Sequence, residues 1–540
     1  MKLSKPLFFF ITALFYFCCH AQPGPLTRPD SIGIHKVQLD EHSKLVSWMG
    51  TPDIAYDRFL HQRWNFIKNK VPLSPGPLPR NLYPQYYFYC AFEKDMRPSN
   101  WMNDVGEKLP NWFESARLYY AYTGDQEVMP LIISMADYYL EHGMSDPGFA
   151  WPGFPYTTTN AGDTIFRGFT SAKIMEQHEI QVDHAGDMGV TYYRLFLFTG
   201  EKKYREAAIQ IADVLAKKVT DGNEQHSPWA YRVVMSNGKI TAPYGANWAG
   251  CYLLLHNLAA AKIGNTKAYQ NACHKIQQFI AHYPMKTGFW TDGHSDTDVK
   301  SNTYKSNLSA SNINLLLFDY PQFDAHWKID APALIRWTED NFINRCAPGE
   351  PASQWGANIV GEQDTFLFKM DYQTARYAAV CARWYAVSAD PAYKEKAFRS
   401  LNWVTYCNDS DGKAYESPLS KGILSWWSDT YGECPRMFYH VFAGIPEWAP
   451  KRENHILYSE NILTRVRYSE KKVEYYATAN TGTDFLKLAF KPLHITINGK
   501  QVVPQNGKLA TAFELKELGG GDYSLIILRN QTGSIVISGE

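Results

Sequence analysis

The chain has 540 residues, 45% hydrophobic and 20% charged, enough to bury a large core and form more than one folding unit. Its 54 basic and 54 acidic side chains cancel, so no broad positive field exists to hold nucleic acid. Beyond the first residues, no apolar run approaches the roughly 20 residues of a membrane span.

The chain begins MKLSKPLFFFITALFYFCCHAQ, with lysines, an apolar run over 6–17 and the small-residue pattern Cys19-His20-Ala21. This predicts a signal peptide over 1–21 and an exported protein, periplasmic or secreted. Cys18 and Cys19 also offer a lipid-attachment reading and an anchored surface form, although Phe15-Tyr16-Phe17 is bulkier than such sites usually have. Seven cysteines follow the leader (Cys90, Cys251, Cys273, Cys346, Cys381, Cys407 and Cys434). Their odd number and the lack of CxxC spacing suggest neither a zinc cage nor a full disulfide framework.

Thr51-Pro52-Asp53 precedes the helical pattern DRFLHQRWNFIKNK. Thr123-Gly124-Asp125 separates the apolar NWFESARLYYAY from the amphipathic QEVMPLIISMADYYLEH. The same unit recurs more clearly over 183–219, where Asp187 to Phe198 is apolar nearly all round. Tyr204, Ala207, Ala208, Ile211, Val214 and Leu215 then form one stripe after a Thr199-Gly200 tip. One helix is inner and buried, the next outer and half solvated. Further tips fall at Gly264 and Ala389, and a poorer one near Asp324. The tips at 124, 200, 264 and 389 are 76, 64 and 125 residues apart, the last gap being close to two periods. Six hairpins of about 65–75 residues are too long for tetratricopeptide or HEAT units.

Six hairpins with aromatic-rich inner helices in an exported chain resemble the six-hairpin glycosidase superfamily, whose (α/α)6 toroid many polysaccharide lyases share. The resemblance covers about residues 35–445 and is architectural. It implies a mainly α fold, an (α/α)6 toroid over 22–450, and a carbohydrate substrate. Over 451–540 the pattern alternates apolar and polar residues, and Asn498-Gly499 is a strong hairpin turn. This predicts a small C-terminal β-sandwich domain, either a structural cap or a sugar-binding module.

The tip turns are short, whereas the loops at the other end are long and rich in Trp and Tyr, so the cleft is expected at the loop end. Trp101, Trp151, Trp248, Tyr304, Trp355, Trp426, Trp427 and Tyr431 there can stack on sugar rings or pack the loops on the barrel, with Arg167 as a further substrate contact. Four acidic clusters gather on the same rim. EIQVDHAGDMG offers Glu179, Asp183, His184 and Asp187, and one of the two aspartates can instead cap the inner helix. NIVGEQDTFLFKMDYQ offers Glu362, Asp364, Lys369 and Asp371. WWSDTYGECPRMF offers Asp429, Tyr431, Glu433 and Arg436, and WMNDVGEKLPNWFES offers Asn103, Asp104, Glu107 and Glu114.

A glycosidase needs two carboxylates across the scissile bond. Asp187 and Asp364 are the first candidates, with Asp183, His184, Asp104 and Asp429 behind them. A lyase would instead use a Tyr or His base beside groups that neutralise a uronate carboxyl. His184, Tyr431, Tyr304, Asn247, Arg167 and Arg232 could fill those parts. A non-catalytic glycan-binding protein is the third reading. No cofactor is expected, although DGHSDTDVKSN over 292–302 alternates oxygen ligands somewhat as a calcium loop does, with Thr303 where a glutamate is usual.

Overall fold

The computed structural model describes residues 30–71, 105–159, 175–291, 304–346, 351–364, 368–418, 429–504 and 511–539. The leader, the calcium-like segment, Trp101, Asp104, Arg167, Trp426, Trp427 and the Asp429 side chain lie outside the described residues.

Among the described residues, twelve helices form the toroid. They are α1 (Pro52–Asn69), α2 (Val105–Thr123), α3 (Val128–His142), α4 (Val182–Thr199), α5 (Lys202–Lys218), α6 (Ala249–Ala260), α7 (Thr266–His282), α8 (Asn307–Asp319), α9 (Trp327–Thr338), α10 (Asp371–Ser388), α11 (Pro391–Thr405) and α12 (Asp429–Gly444). The even-numbered helices are inner. They pack side by side in the order α2, α4, α6, α8, α10 and α12, and α12 returns to α2 to close the ring. Burial follows from that position: in α10 every residue from Asp371 to Arg383 is buried, while in α5 only one stripe is.

Five hairpins are continuous in sequence. The sixth is divided between the chain ends, because α1 is an outer helix whose inner neighbour is α12. Arg63 of α1 joins them. Its guanidinium pairs with Asp371 of α10 at 2.9 Å and donates to the Thr430 carbonyl of α12, all without solvent exposure of either charged side chain.

Gly200 ends α4 in the left-handed conformation at φ 79°, its N–H bonded to the Phe196 carbonyl. Ala389 does the same after α10 at φ 57°, with a Cβ that disfavours it. Pairing α4 with α6 needs glycine for another reason: a Cβ on Gly186 would lie 2.5 Å from Cys251 Sγ and 2.7 Å from Cys251 N.

The α4 start differs from the sequence reading. The helix begins at Val182, five residues before Asp187, directly after β1 (Glu179–Gln181), which pairs with β2 (Arg232–Val234) in the register Gln181↔Arg232. Gln181 is the N-cap, so neither Asp183 nor Asp187 caps the helix. Both lie within its first two turns, where their side chains face the ring interior.

After Gly444 the chain forms two antiparallel sheets. One has four strands in the order β3 (His455–Ser459), β6 (Gly482–Leu488), β10 (Asp522–Arg529), β9 (Ala512–Gly519). The other has five, β4 (Leu463–Ser469), β5 (Lys472–Ala477), β11 (Gly533–Gly539), β7 (Pro492–Ile497), β8 (Lys500–Gln501). Leu486↔Leu525 and Val473↔Ile537 set the registers that turn alternate side chains into the sandwich core. Strand β3 lies against α2 and α12 at the tip end of the ring.

These contacts make opposite predictions at two small residues. Gly186→Ala should lower the unfolding free energy by about 1–3 kcal/mol, since backbone atoms cannot step aside. Ala389→Gly should raise it by about 1 kcal/mol by relieving the left-handed strain. Urea unfolding of the two variants checks both signs.

Candidate active site

The inner helices enclose an axial cavity of about 140 Å³. Its wall is unusually polar for the centre of a helical ring: Glu107, Glu114, Asp187, His184, Asn247, Asn312, Arg376 and Arg436 all reach it. Buried ionic groups are costly unless paired, and most of those here are joined in a chain of contacts around the axis, with Arg436 outside it.

At the loop end the chain of contacts crosses five helices and one loop. Glu433 of α12 accepts from Arg376 of α10 at 2.8 Å, and Arg376 donates to Asn312 of α8 at 2.5 Å. Asn312 donates to Asn247 at 3.1 Å, and Asn247 donates to Asp183 of α4 at 3.1 Å. Glu107 of α2 lies close enough to Glu433 to raise its pKa, bringing the sixth element beside the belt. His184 Nε2 is 4.0 Å from Asp183.

Deeper along the axis, Glu114 lies between two arginines. Arg117 bonds it through Nε at 2.8 Å, and Arg194 of α4 donates to its other oxygen. The β-sandwich closes this end: Ser459 and Glu460 offer carbonyls to Arg117 at 2.9 Å and to Arg194 at 3.2 Å, and Tyr458 and Glu460 line the cavity floor.

The two levels hold carboxyls in different states. Burial would raise Glu114, but Arg117 and Arg194 outweigh it and hold its pKa at about 2, so it stays an anion. Burial raises Asp187 to about 6 against the pull of His184, Arg436 and Arg376. Burial and the neighbouring Glu107 raise Glu433 to about 7 against Arg376. Arg436 is held below the usual guanidinium range by burial and by Arg376, and it makes no hydrogen bond or ion pair among the described residues. Carboxyls whose environments separate their pKa values are the raw material of acid and base catalysis.

The sequence candidates divide clearly. Asp187 and His184 line the cavity and Asp183 anchors the belt. Asp364 does not line it: its carboxylate accepts the Lys305 N–H at 2.9 Å and lies 3.6 Å from Arg345. Of the five described aromatics, none lines the axial cavity. Trp248 is fully buried and donates to Gly245 O, Trp151 packs under Lys218, and Tyr304 is fully buried. Tyr431 bonds the Gly412 and Ala414 backbone, and Trp355 is half-buried in a left-handed turn. Arg232 is buried in β2.

Sequence reasoning missed Arg376, Asn312, Arg117 and Arg194 as parts of the site. Their signal was present: each is a polar or charged residue inside an otherwise greasy helix, and such a residue must find a buried partner. Among the described residues no group of three or more His, Cys, Asp or Glu is placed to hold a metal ion, and no helix is long and apolar enough to cross a membrane.

No known family profile matches this chain, and no curated protein matches it by sequence. Solved structures do match by shape. A sugar epimerase from a ruminal bacterium is 10% identical, with a TM-score of 0.51 over 71% of this chain and 96% of its own. A D-mannose isomerase is 11% identical, with a TM-score of 0.50 over 72% of this chain and 97% of its own. The likeness is one of fold: the chain has an (α/α)6 toroid, followed by the β-sandwich.

The carboxyl states predict how stability responds to pH. Asp187 has a folded pKa near 6, above the ordinary 3.8, so the native state loses stability as pH rises from about 4 through about 6. Asp187→Asn cannot lose it. Its stability relative to wild type should therefore grow over that interval and level off about 1–3 kcal/mol higher above pH 7. Thermal unfolding across pH checks this, and a pH-independent difference would contradict it. Glu114→Gln should do the reverse, destabilising by about 3 kcal/mol or more because two buried arginines lose their anion.

Proposed function

We propose that the protein is an exported glycoside hydrolase acting on an oligo- or polysaccharide at the loop end of the toroid axis. The observation that carries this reading is the presence, on one axial cavity, of Asp187 and Glu107, with Glu433 adjoining Glu107. Glu433, with a pKa of about 7, holds a proton on about half of the molecules near neutrality, and its neighbour Glu107 faces the cavity. The proton held on Glu433 passes by way of Glu107 to the leaving glycosidic oxygen. Asp187, mostly ionised above pH 6, takes a proton from attacking water or attacks the anomeric carbon itself. Arg376 and the belt behind it hold Glu433 in place, and His184 supports the charge on Asp187. Export rests on the lysine-led apolar run at the start of the chain.

One observation favours a second reading. Arg436, without an ion pair among the described residues, adjoins Arg376 at the cavity and suits a uronate carboxylate, with His184 as the base of a β-elimination. The products discriminate. Hydrolysis yields new reducing ends without an unsaturated chromophore, and elimination yields both. Free mannose and cellobiose belong in the same screen, because sugar isomerisation moves protons on carbon and cleaves no glycosidic bond.

Asp187→Asn and Glu107→Gln should each lower kcat on the responsive glycan about 10²–10⁴-fold with little change in helical content. The pH profile should be a bell. Activity rises as Asp187 ionises near 6 and falls as Glu433 loses its proton near 7, and Glu433→Gln should alter the alkaline limb. Wild-type turnover in either Asp187→Asn or Glu107→Gln removes the assignment.

A further inference from the structure

A second and larger cavity lies on the opposite side of the ring, at the tip end. It measures about 650 Å³, within the roughly 300–1,000 Å³ of small-molecule sites. One wall comes from the helix tips: Tyr193 of α4, His256 and Asn257 of α6, and Tyr320 just after α8. The other comes from the β-sandwich, from Glu460 to Ile462 and the 478–483 turn.

Its charged groups are already answered. Arg194 pairs with Glu114, Asp319 with Arg383 at 2.9 Å, and Arg529 with Asp484 at 2.6 Å. Burial and the neighbouring Asp319 raise the Glu460 carboxyl to a pKa of about 7, so that only about half of it is charged at neutral pH, and one of its oxygens accepts the Thr483 N–H. Burial lowers His256, so its imidazole is neutral.

The uncharged groups are not answered. The Tyr193 hydroxyl, on a residue only 7% exposed, the His256 ring nitrogens, the Asn257 amide and the Tyr320 hydroxyl make no hydrogen bond to any described residue. They border the cavity, and they are neutral donors and acceptors. Beside them are ring faces: His256 is stacked on Tyr252 at 5.3 Å and meets the edge of Tyr320 at 5.5 Å. Neutral hydrogen-bonding groups interleaved with aromatic surface match a ligand that is uncharged, rich in hydroxyls and apolar on its C–H faces.

We infer that the groove between the helix tips and the β-sandwich binds a neutral oligosaccharide, at a site separate from the axial cavity and on the opposite face of the toroid. The two cavities share the wall residues Arg194, Asp319, Tyr320 and Glu460, so the groove lies one layer of side chains from the active-site floor. It holds a glycan without cleaving it, because Asp187 and the Glu107–Glu433 pair lie beyond that wall.

Binding is measured on the full chain carrying Asp187→Asn, so that turnover does not intervene, by calorimetry with cellohexaose and mannohexaose, and with hexagalacturonate as the charged counterpart. A neutral hexasaccharide should bind. Two changes in this background should each weaken it at least about tenfold: His256→Ala, which removes a ring face, and Ala260→Trp, which fills the groove from an exposed position on its rim. Hexagalacturonate should be indifferent to both. If neither neutral hexasaccharide binds, or if both groove variants bind like their parent, the groove is not a glycan site. Loss of groove binding leaves the hydrolase reading intact. Groove binding in a protein that shows no glycan cleavage removes the hydrolase reading alone.

Discussion

Ionised groups at the centre of a ring of helices cost several kcal/mol each unless every one finds a partner. In this protein that constraint is met, except at Arg436, by the belt from Glu433 through Arg376, Asn312 and Asn247 to Asp183, which ties successive inner helices to one another across the axis. The geometry around it follows. Gly250 has no side chain because a Cβ there would lie 2.0 Å from the Asp187 carboxylate, so the approach of α6 to α4 and the placing of Asp187 are one requirement. The amides at Asn247 and Asn312 relay hydrogen bonds without adding charge, which lets one arginine serve a carboxylate on the far side of the ring.

The β-sandwich belongs to the same electrostatic arrangement. Arg117 and Arg194 each carry more donors than Glu114 can accept, and the surplus goes to the carbonyls of Ser459 and Glu460. The tip end of the axis is thereby closed by polar backbone. Glu114 stays an anion because it is enclosed by arginines on one level, while Asp187 and Glu433, one to two helical turns nearer the mouth, are more desolvated than paired and remain protonatable near neutrality. A single enclosure thus supplies a fixed charge below and titratable groups above.

Much of the scaffold was legible in the sequence because tips obey local rules. Gly124, Gly200 and Gly264 all take left-handed conformations, and even Ala389 marks its tip without a glycine. The weak tip near Asp324 also holds, with a short 3-10 turn over Pro321–Phe323 before α9. Helix starts at the mouth were less legible. Asp183, His184, Glu107 and Asn111 are polar, and polarity ahead of a greasy run suggests a loop on the assumption that polar residues face water. Here they face the axis, so α4 begins five residues and α2 six residues ahead of the apolar pattern. The pairing of α1 with α12 was invisible for another reason, since no local signal links residues some 370 positions apart, as Arg63 and Thr430 are. The tryptophans and tyrosines of the loops were visible but ambiguous. Trp248 and Tyr431 serve packing, and only their buried neighbours distinguish that from a sugar platform.

The poise of the axial carboxyls is measured most directly by carbon-detected NMR titration of Asp and Glu side chains in the intact protein. One carboxyl should titrate near pH 6 and vanish from the spectrum of Asp187→Asn, and another near pH 7 should vanish in Glu433→Gln. If neither variant removes a titration above the ordinary carboxylate range of about 4, the axial cavity does not separate its acids from its bases, and the catalytic reading of the site is wrong.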